Sequence, residues 1–381
     1  MQKSRFPAVA SLLLGAGLAS SLALSASTES ISTEYQGFEL TTVAEGLEHP
    51  WSIAFLPDGD MLVTERPGRL NRIDADGNTT VIEGTPEVVA RGQGGLLEVV
   101  LHPAFEDNGT IYLTYSKGGD GEDTATALAR GRLDGDRLHD VEDIFVQNRY
   151  SQPGRHYGSR LAWLSDGTLL MSIGDRGAEP PRAQDPLDHA GTLLRLNDDG
   201  SIPADNPFVD DDDVASEIYS MGHRNIQGLV VDPESGIIWA TEHGPRGGDE
   251  LNRIEPGLNY GWPVQSRGLD YRTGEQFGDS VRDHPDMVNP VVDWTPSLAA
   301  SGLALLVDDH FAAWQGNLLA GGLRSEHIRR VELRDGEVVH EEELLRGHVG
   351  RIRDVRVGPD GNIYVATDSS DGAIYRMSPE S

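Results

Sequence analysis

The chain has 381 residues, no cysteine, and a formal charge of −31 from 62 acidic against 31 basic residues. Lacking cysteine, it has no disulfide, thiolate metal site or cysteine nucleophile, and so acidic a surface argues against nucleic acid and anionic lipid as partners. The 45 glycines and 21 prolines imply many turns, while 38% hydrophobic residues suffice for a packed core.

Residues 1–26 read as a secretory signal. Lys3 and Arg5 precede an apolar run of small residues from Phe6 to Leu24, no acid occurs before Glu29, and Ala23, Ser25 and Ala26 offer a cleavage site. A membrane anchor fits less well, because the run is barely long enough to span and is rich in Ser, Gly and Ala. No second apolar span follows, so the mature protein is expected to lack a membrane span and to be periplasmic or secreted.

One pattern then recurs six times: a short apolar strand, a turn rich in Asp and Gly, and a second apolar strand. The copies are SIAFLPDGDMLVTE (52–65), EVVLHPAFEDNGTIYLTY (98–115), RLAWLSDGTLLMSIGD (160–175), GLVVDPESGIIWATE (228–242), LALLVDDHFAAWQGNLLAGG (303–322) and VRVGPDGNIYVATD (355–368). Asp-Gly and Asn-Gly turns between such strands are strong hairpin signals. A third strand, such as RLNRID or TLLRLN, follows most copies. The spacing suits propeller blades with loop insertions, which predicts an all-β, six-bladed β-propeller over residues 36–379 as a single domain.

In a propeller the first strand of each blade lines the central channel and the chain meanders outward. Segments just before a first strand and just after a second strand therefore share one channel mouth. The first group holds Trp51, Gln93, His156 with Arg160 close behind, Arg224, Asn225, Trp294, Arg351 and Arg353. The second holds Asp175, the segment EHGPRGGDE (242–250) and Arg324. Plain PDG-type turns fall mostly on the opposite face.

Arginines converging in so acidic a chain point to a polyanionic ligand, since guanidinium forks bind carboxylates and phosphates bidentately. The alternative is that each pairs with a structural acid, Asp354 beside Arg353 being one. His156 at the mouth has an imidazole suited to general-base work near neutral pH. The loop HGPRGGDELN (243–252) is able to turn the carbonyls of Gly244 and Pro245 toward a cation of the calcium type, with Asp249 and Glu250 either binding the ion or locking the loop. Residues 210–213, four consecutive aspartates, read as a solvated loop, because adjacent carboxylates repel and diverge. No Gly-x-Ser-x-Gly elbow, HExxH motif, P-loop or GxGxxG fingerprint occurs. Asp175 and Glu242 are available as a glycosidase pair, but the arginines favour an anionic ligand over a neutral glycan alone.

The segments GQGGLLEVVLHPAF (92–105), HYGSRL (156–161), IGDRG (173–177), AQDP (183–186), GHRNIQGL (222–229), EHGPRGGDELN (242–252), NYGWP (259–263) and RIRDVRVGPDG (351–361) together resemble the soluble pyrroloquinoline quinone (PQQ)-dependent sugar dehydrogenases, from about Tyr35 to Pro379. The resemblance implies that His156 is the general base taking the proton from the anomeric hydroxyl of an aldose, with hydride passing to C5 of PQQ to give a lactone. It implies that Arg224 and Asn225 contact the cofactor, that Arg351 and Arg353 bind its carboxylates, and that Gln93 belongs to the same pocket near the substrate hydroxyl. Gly244 and Pro245 match carbonyl ligands of the calcium that clamps the quinone. Arg324 stands where many relatives have lysine, and Arg155 stands where the glucose-oxidising branch has an aspartate that helps bind sugar. Short loops and missing dimer-forming insertions fit a monomer with an open site, an aldose substrate and an external electron acceptor. Two other classes compete: a propeller binding module for sugar or protein, and a lactone-hydrolysing propeller with metal-ligating carboxylates around the channel.

Overall fold

The computed structural model describes residues 28–380, so the expected signal segment lies outside the described residues. Six antiparallel sheets carry almost all the ordered backbone. The first blade comprises Pro50–Phe55, Met61–Glu65, Arg69–Ile73 and Thr79–Ile82; the second, Leu96–Leu101, Thr110–Gly118, Thr124–Asp134 and Arg137–Val146. The third has Leu161–Trp163, Leu169–Ile173, Thr192–Leu196 and Ile218–Met221; the fourth, Ile226–Val231, Ile238–Glu242, Asp249–Ile254 and Val292–Trp294. The fifth has Ala300–Leu305, Leu318–Gly322, Ile328–Arg334 and Glu337–Leu344. Each predicted hairpin is the inner pair of one blade, and the protein is a six-bladed β-propeller.

The sixth blade joins the two ends of the chain. Its strands Ile352–Val357, Ile363–Thr367 and Gly372–Pro379 are completed by Phe38–Leu47, with Leu40 opposite Met377, and by Thr28–Ile31 outside it. The outermost strand lies before the expected start at residue 36. Closure by an N-terminal strand ties first blade to last through backbone hydrogen bonds and so leaves the ring without a gap.

The core is divided among the seams between blades. One cluster sets Leu62, Leu70 and Ile82 of the first blade against Leu96, Val99 and Leu113 of the second. Another sets Phe311, Trp314 and Leu319 of the fifth against Ile352, Val355 and Val365 of the sixth. A blade packed on both faces buries both faces of its middle strands. That is why Met61–Glu65, Leu169–Ile173, Ile238–Glu242, Leu318–Gly322 and Ile363–Thr367 are buried at every position.

The channel below the mouth is filled by an ionic lattice. The Arg160 guanidinium lies 3.0 Å from Glu98 and 2.9 Å from Asp354, and Arg356 bonds the same two carboxylates. Arg160 also lies over the Trp51 ring at 4.1 Å and donates to the Arg353 carbonyl at 3.2 Å. Asp354, considered above as a partner for Arg353, belongs to this lattice instead, its two oxygens facing Arg160 and Arg356.

Candidate functional site

The predicted mouth exists as a cavity lined by Trp51, Gln93, Tyr157, Asn225, Gln227 and Arg353. These come from five blades, so the ring geometry alone brings together residues up to 302 positions apart. His156 and Arg224 stand beside the cavity and are tied to its walls. The His156 N–H donates to Gln93 Oε1 at 2.8 Å, and Arg224 Nη1 donates to the His243 carbonyl at 3.2 Å.

His156 is buried and sits in a segment of left-handed backbone, with φ of 52° at His156 and 80° at Ser159. Surrounding contacts hold this conformation. Asn225 Oδ1 accepts from Gly158 N–H at 3.0 Å, and a Cβ on Gly174 would lie 2.2 Å from the His156 carbonyl, so only glycine lets the two strands approach. The imidazole Nδ1–H donates to Asp175 Oδ1 at 2.6 Å, while Trp262 Nε1–H donates to Asp175 Oδ2 at 2.8 Å. An ionised Asp175 can only accept, which puts the proton on Nδ1 and leaves Nε2 with its lone pair. Burial and then the Arg224 charge push the imidazole below its usual range, with Asp175 opposing. Burial would raise the Asp175 carboxyl, but His156, Arg224 and Trp262 together hold it low. The result is a neutral histidine backed by a carboxylate, the arrangement of a general base.

The arginines divide by partner. Arg351 Nη2 reaches Asp368 Oδ2 at 2.7 Å, and Arg353 reaches the same oxygen at 3.4 Å while donating to Gln227 Oε1 at 3.1 Å. Asp368 is thus the acid between the pair; burial would raise its carboxyl, but the two arginines and His49 hold it well below the usual range. Burial pushes the Arg353 guanidinium down to about 10. Arg224 has no carboxylate on its side chain, lies 5.3 Å from the Trp262 ring, and, like Arg353, has a buried Nε–H without a partner. Unpaired buried donors are costly unless something fills them. A planar, acidic ligand in this cavity would do so.

In the loop 243–249 the acid Asp249 is engaged by hydrogen bonds within the fold. Asp249 turns inward, accepting from Gly244 N–H at 3.0 Å, from Ala300 N–H at 3.2 Å and from the Ser297 hydroxyl, and so locks the loop. Among the described residues neither the Gly244 nor the Pro245 carbonyl accepts a hydrogen bond, so both oxygens are available to a hard cation. Glu250 lines a small adjoining cavity with Arg224, Gly244 and Trp262; burial, then the neighbouring Glu242, push its carboxyl up to about 8. Among the described residues no cluster of three or more Asp, Glu, His or Cys side chains is disposed to hold a metal, so an ion here would rely on carbonyl oxygens and on its ligand.

Three residues assigned to the mouth from sequence lie elsewhere. Arg160 points down into the channel lattice. Trp294 ends the fourth strand of the fourth blade, buried, with Nε1 donating to Glu341 at 2.9 Å. Arg324 is exposed in an outer groove with Ser325 and His327, although its neighbour Leu323 lines the cavity. Conversely, Asp368 and Arg66 were missed, although both directly follow second strands and satisfy the same positional rule. Trp262 carried no such signal, since it comes from the irregular insertion between the last two strands of the fourth blade.

One property sets the mouth apart. Among the described residues, the arginines without a carboxylate oxygen in salt-bridging distance are Arg66, Arg155, Arg176, Arg224 and Arg246 around the mouth, Arg324 in the outer groove, and Arg376 in the sixth blade. In a chain with twice as many acids as bases, most of the described guanidinium groups left without acids gather around the mouth.

The chain matches the Glucose / Sorbosone dehydrogenase family over residues 47–376. It is 41% identical over 340 residues to the aldose sugar dehydrogenase YliI of Escherichia coli K12, covering 87% of this chain and 91% of that one. The apo form of the soluble aldose sugar dehydrogenase from E. coli superimposes with a TM-score of 0.87 at 39% identity, covering 90% of this chain and 99% of that one. The PQQ-bound aldose sugar dehydrogenase from Streptomyces coelicolor gives 0.74 at 29% identity, covering 93% and 98%. With ring, motifs and mouth in agreement over nearly the whole described chain, this protein belongs to the glucose/sorbosone dehydrogenase family of sugar oxidoreductases.

Proposed function

We propose that the chain oxidises aldoses at the anomeric carbon to lactones, using PQQ and calcium bound at the mouth. The observation that carries this reading is the neutral His156, backed by Asp175, beside buried arginines whose Nε–H groups lack partners. Arg224, Arg351, Arg353, Asn225 and Gln93 would hold the acidic cofactor, and the free carbonyls of Gly244 and Pro245 would hold calcium. When bound, PQQ supplies the two-electron oxidising power, accepting hydride at its C5 carbon.

The chain's own residues provide the acid–base chemistry. His156 Nε2 takes the proton of the anomeric hydroxyl as the C–H bond weakens. Asp175 steadies the imidazolium that forms, and Trp262 prevents the carboxylate from swinging away. Arg224 places fixed positive charge where negative charge develops, and its burial excludes the water that would screen it. The apolar leader with Lys3 and Arg5 supports export, so we place the mature protein in the periplasm or outside the cell, as a monomer serving an external electron acceptor.

The test is the ultraviolet–visible spectrum of protein reconstituted with PQQ and calcium, before and after an aldose is added. Reduction of the quinone spectrum by glucose or galactose is the expected result. A bound quinone that no member of a broad aldose panel reduces would remove the dehydrogenase reading, and absence of quinone binding would favour a non-redox propeller.

A further inference from the structure

The outer groove that holds Arg324 lies between the fourth and fifth blades and encloses about 620 Å³, within the range of small-molecule sites. It adjoins the mouth without being part of it, since Leu323 lines the cavity and the next residue lines the groove. Trp294, Pro296 and Leu298 line it from the segment entering the fifth blade. Ser325, His327 and Arg329 line it from the turn into that blade's third strand. The two segments are joined where the N–H groups of Arg324 and Ser325 both donate to the Leu298 carbonyl, at 3.1 and 3.2 Å. The turn is shaped: Glu326 has a left-handed φ of 53°, and a Cβ on Gly322 would lie 2.0 Å from Ser325 Oγ.

Three buried polar atoms of this groove have no hydrogen-bond partner among the described residues: Ser325 Oγ, His327 Nε2 and Arg329 Nε. His327 is buried, and its Nδ1 lies 3.1 Å from the Ser325 carbonyl. A carbonyl only accepts, so Nδ1 carries the proton and Nε2 presents a lone pair. Burial, seconded by Arg329 and Arg346 and opposed by Glu343, pushes the imidazole down to about 4, so it is neutral near pH 7. Glu343 Oε1 lies 3.9 Å from Nε2 and, held low by Arg346, has no hydrogen to give it. The groove therefore contains an unmet acceptor, an unmet N–H donor and a hydroxyl able to play either part.

Charge narrows the ligand. Asp293, Glu341 and Glu343 balance Arg324, Arg329 and Arg346. Each acid already has an arginine: Asp293 has Arg282 at 2.8 Å, and Arg329 stands 3.6 Å from Glu341 and 3.1 Å from Glu343. An anion would meet three carboxylates and the His327 lone pair, and a cation would meet the arginines. A neutral polyhydroxylated ring meets neither objection. Each hydroxyl both donates and accepts, and the C–H faces of the ring match the apolar surface of Trp294, Pro296 and Leu298.

We infer that the groove between the fourth and fifth blades is a saccharide-binding site separate from the mouth, taking a neutral sugar through His327 Nε2, Ser325 Oγ and Arg329 Nε. One sugar hydroxyl donates to the imidazole, and another accepts from the guanidinium. The site needs no quinone and forms no covalent bond, so the inference goes beyond the aldose dehydrogenase reading and does not depend on it.

The test is titration of methyl α-glucoside, sucrose and trehalose into the chain with PQQ and calcium present, followed by saturation-transfer difference NMR. These sugars have no free anomeric hydroxyl and are not oxidised. The expected result is saturable binding of at least one, weakened about fivefold or more in His327→Phe and less in Ser325→Ala. Binding should be unaltered in His156→Ala, which changes only the mouth. Melting temperatures equal to wild type show that the variants fold; should His327→Phe melt lower, Ser325→Ala decides. No saturable binding, binding indifferent to both groove variants, or binding lost in His156→Ala would overturn the inference. Tighter binding of inorganic phosphate than of any of the sugars would do the same. Because the probes are not oxidised, success or failure of quinone reduction by aldoses leaves this outcome untouched.

Discussion

The channel and its mouth use the same residue type in opposite ways. In the channel, Arg160 and Arg356 share Glu98 and Asp354, and every guanidinium faces a carboxylate. A few residues away at the mouth, Arg224 is as well buried but has only a carbonyl, and its Nε–H bonds nothing. The contrast separates two roles for buried charge. A paired lattice belongs to the fold, whereas an unpaired guanidinium lowers stability and persists where a ligand completes it.

The comparison predicts effects of different kinds. Arg160→Leu leaves Glu98 and Asp354 buried against one arginine, so it should cost about 3–5 kcal/mol of stability, read as a large drop in melting temperature. His156→Ala should lower turnover about 10²-fold or more with quinone still bound, since it removes the base and little of the cofactor pocket. Unchanged turnover would take His156 out of that role. Arg224→Leu should weaken quinone binding by about tenfold or more, while the melting temperature of the cofactor-free protein stays level or rises. Destabilisation like that of Arg160→Leu would erase the distinction between the two regions.

The smallest effect concerns Glu250. Its folded carboxyl titrates near 8, above its ordinary range, so the fold holds a proton that the unfolded chain releases earlier. Calcium-free protein should therefore lose stability as pH rises from about 4.5 toward 8. Glu250→Gln removes that loss, and its gain in melting temperature should be greater at pH 8 than at pH 5. Equal gains at both values would show that Glu250 is ionised in the fold.

What the sequence revealed follows from what is local. The six inner hairpins were legible because each carries its own turn chemistry and two apolar strands, and the ring then forces their ends together. Gln93, Asn225 and Arg353 reached the cavity by that rule alone. The same rule covers Asp368 and Arg66, which end or follow the strands Ile363–Thr367 and Met61–Glu65 but were passed over among plainer neighbours. Trp262 lies in the NYGWP motif that carried part of the resemblance, but its bond to Asp175 was beyond reach, because the insertion that delivers it has no period and its partner lies 87 residues away.

Titration of PQQ into cofactor-free protein by calorimetry, with and without calcium, tests the central claim most directly. Saturation at one quinone per chain, dependent on calcium and weakened in Arg224→Leu and Arg353→Gln, is the predicted result. Binding that ignores both arginines, or no binding with calcium present, would contradict the claim that the mouth arginines are unpaired because an acidic cofactor completes them.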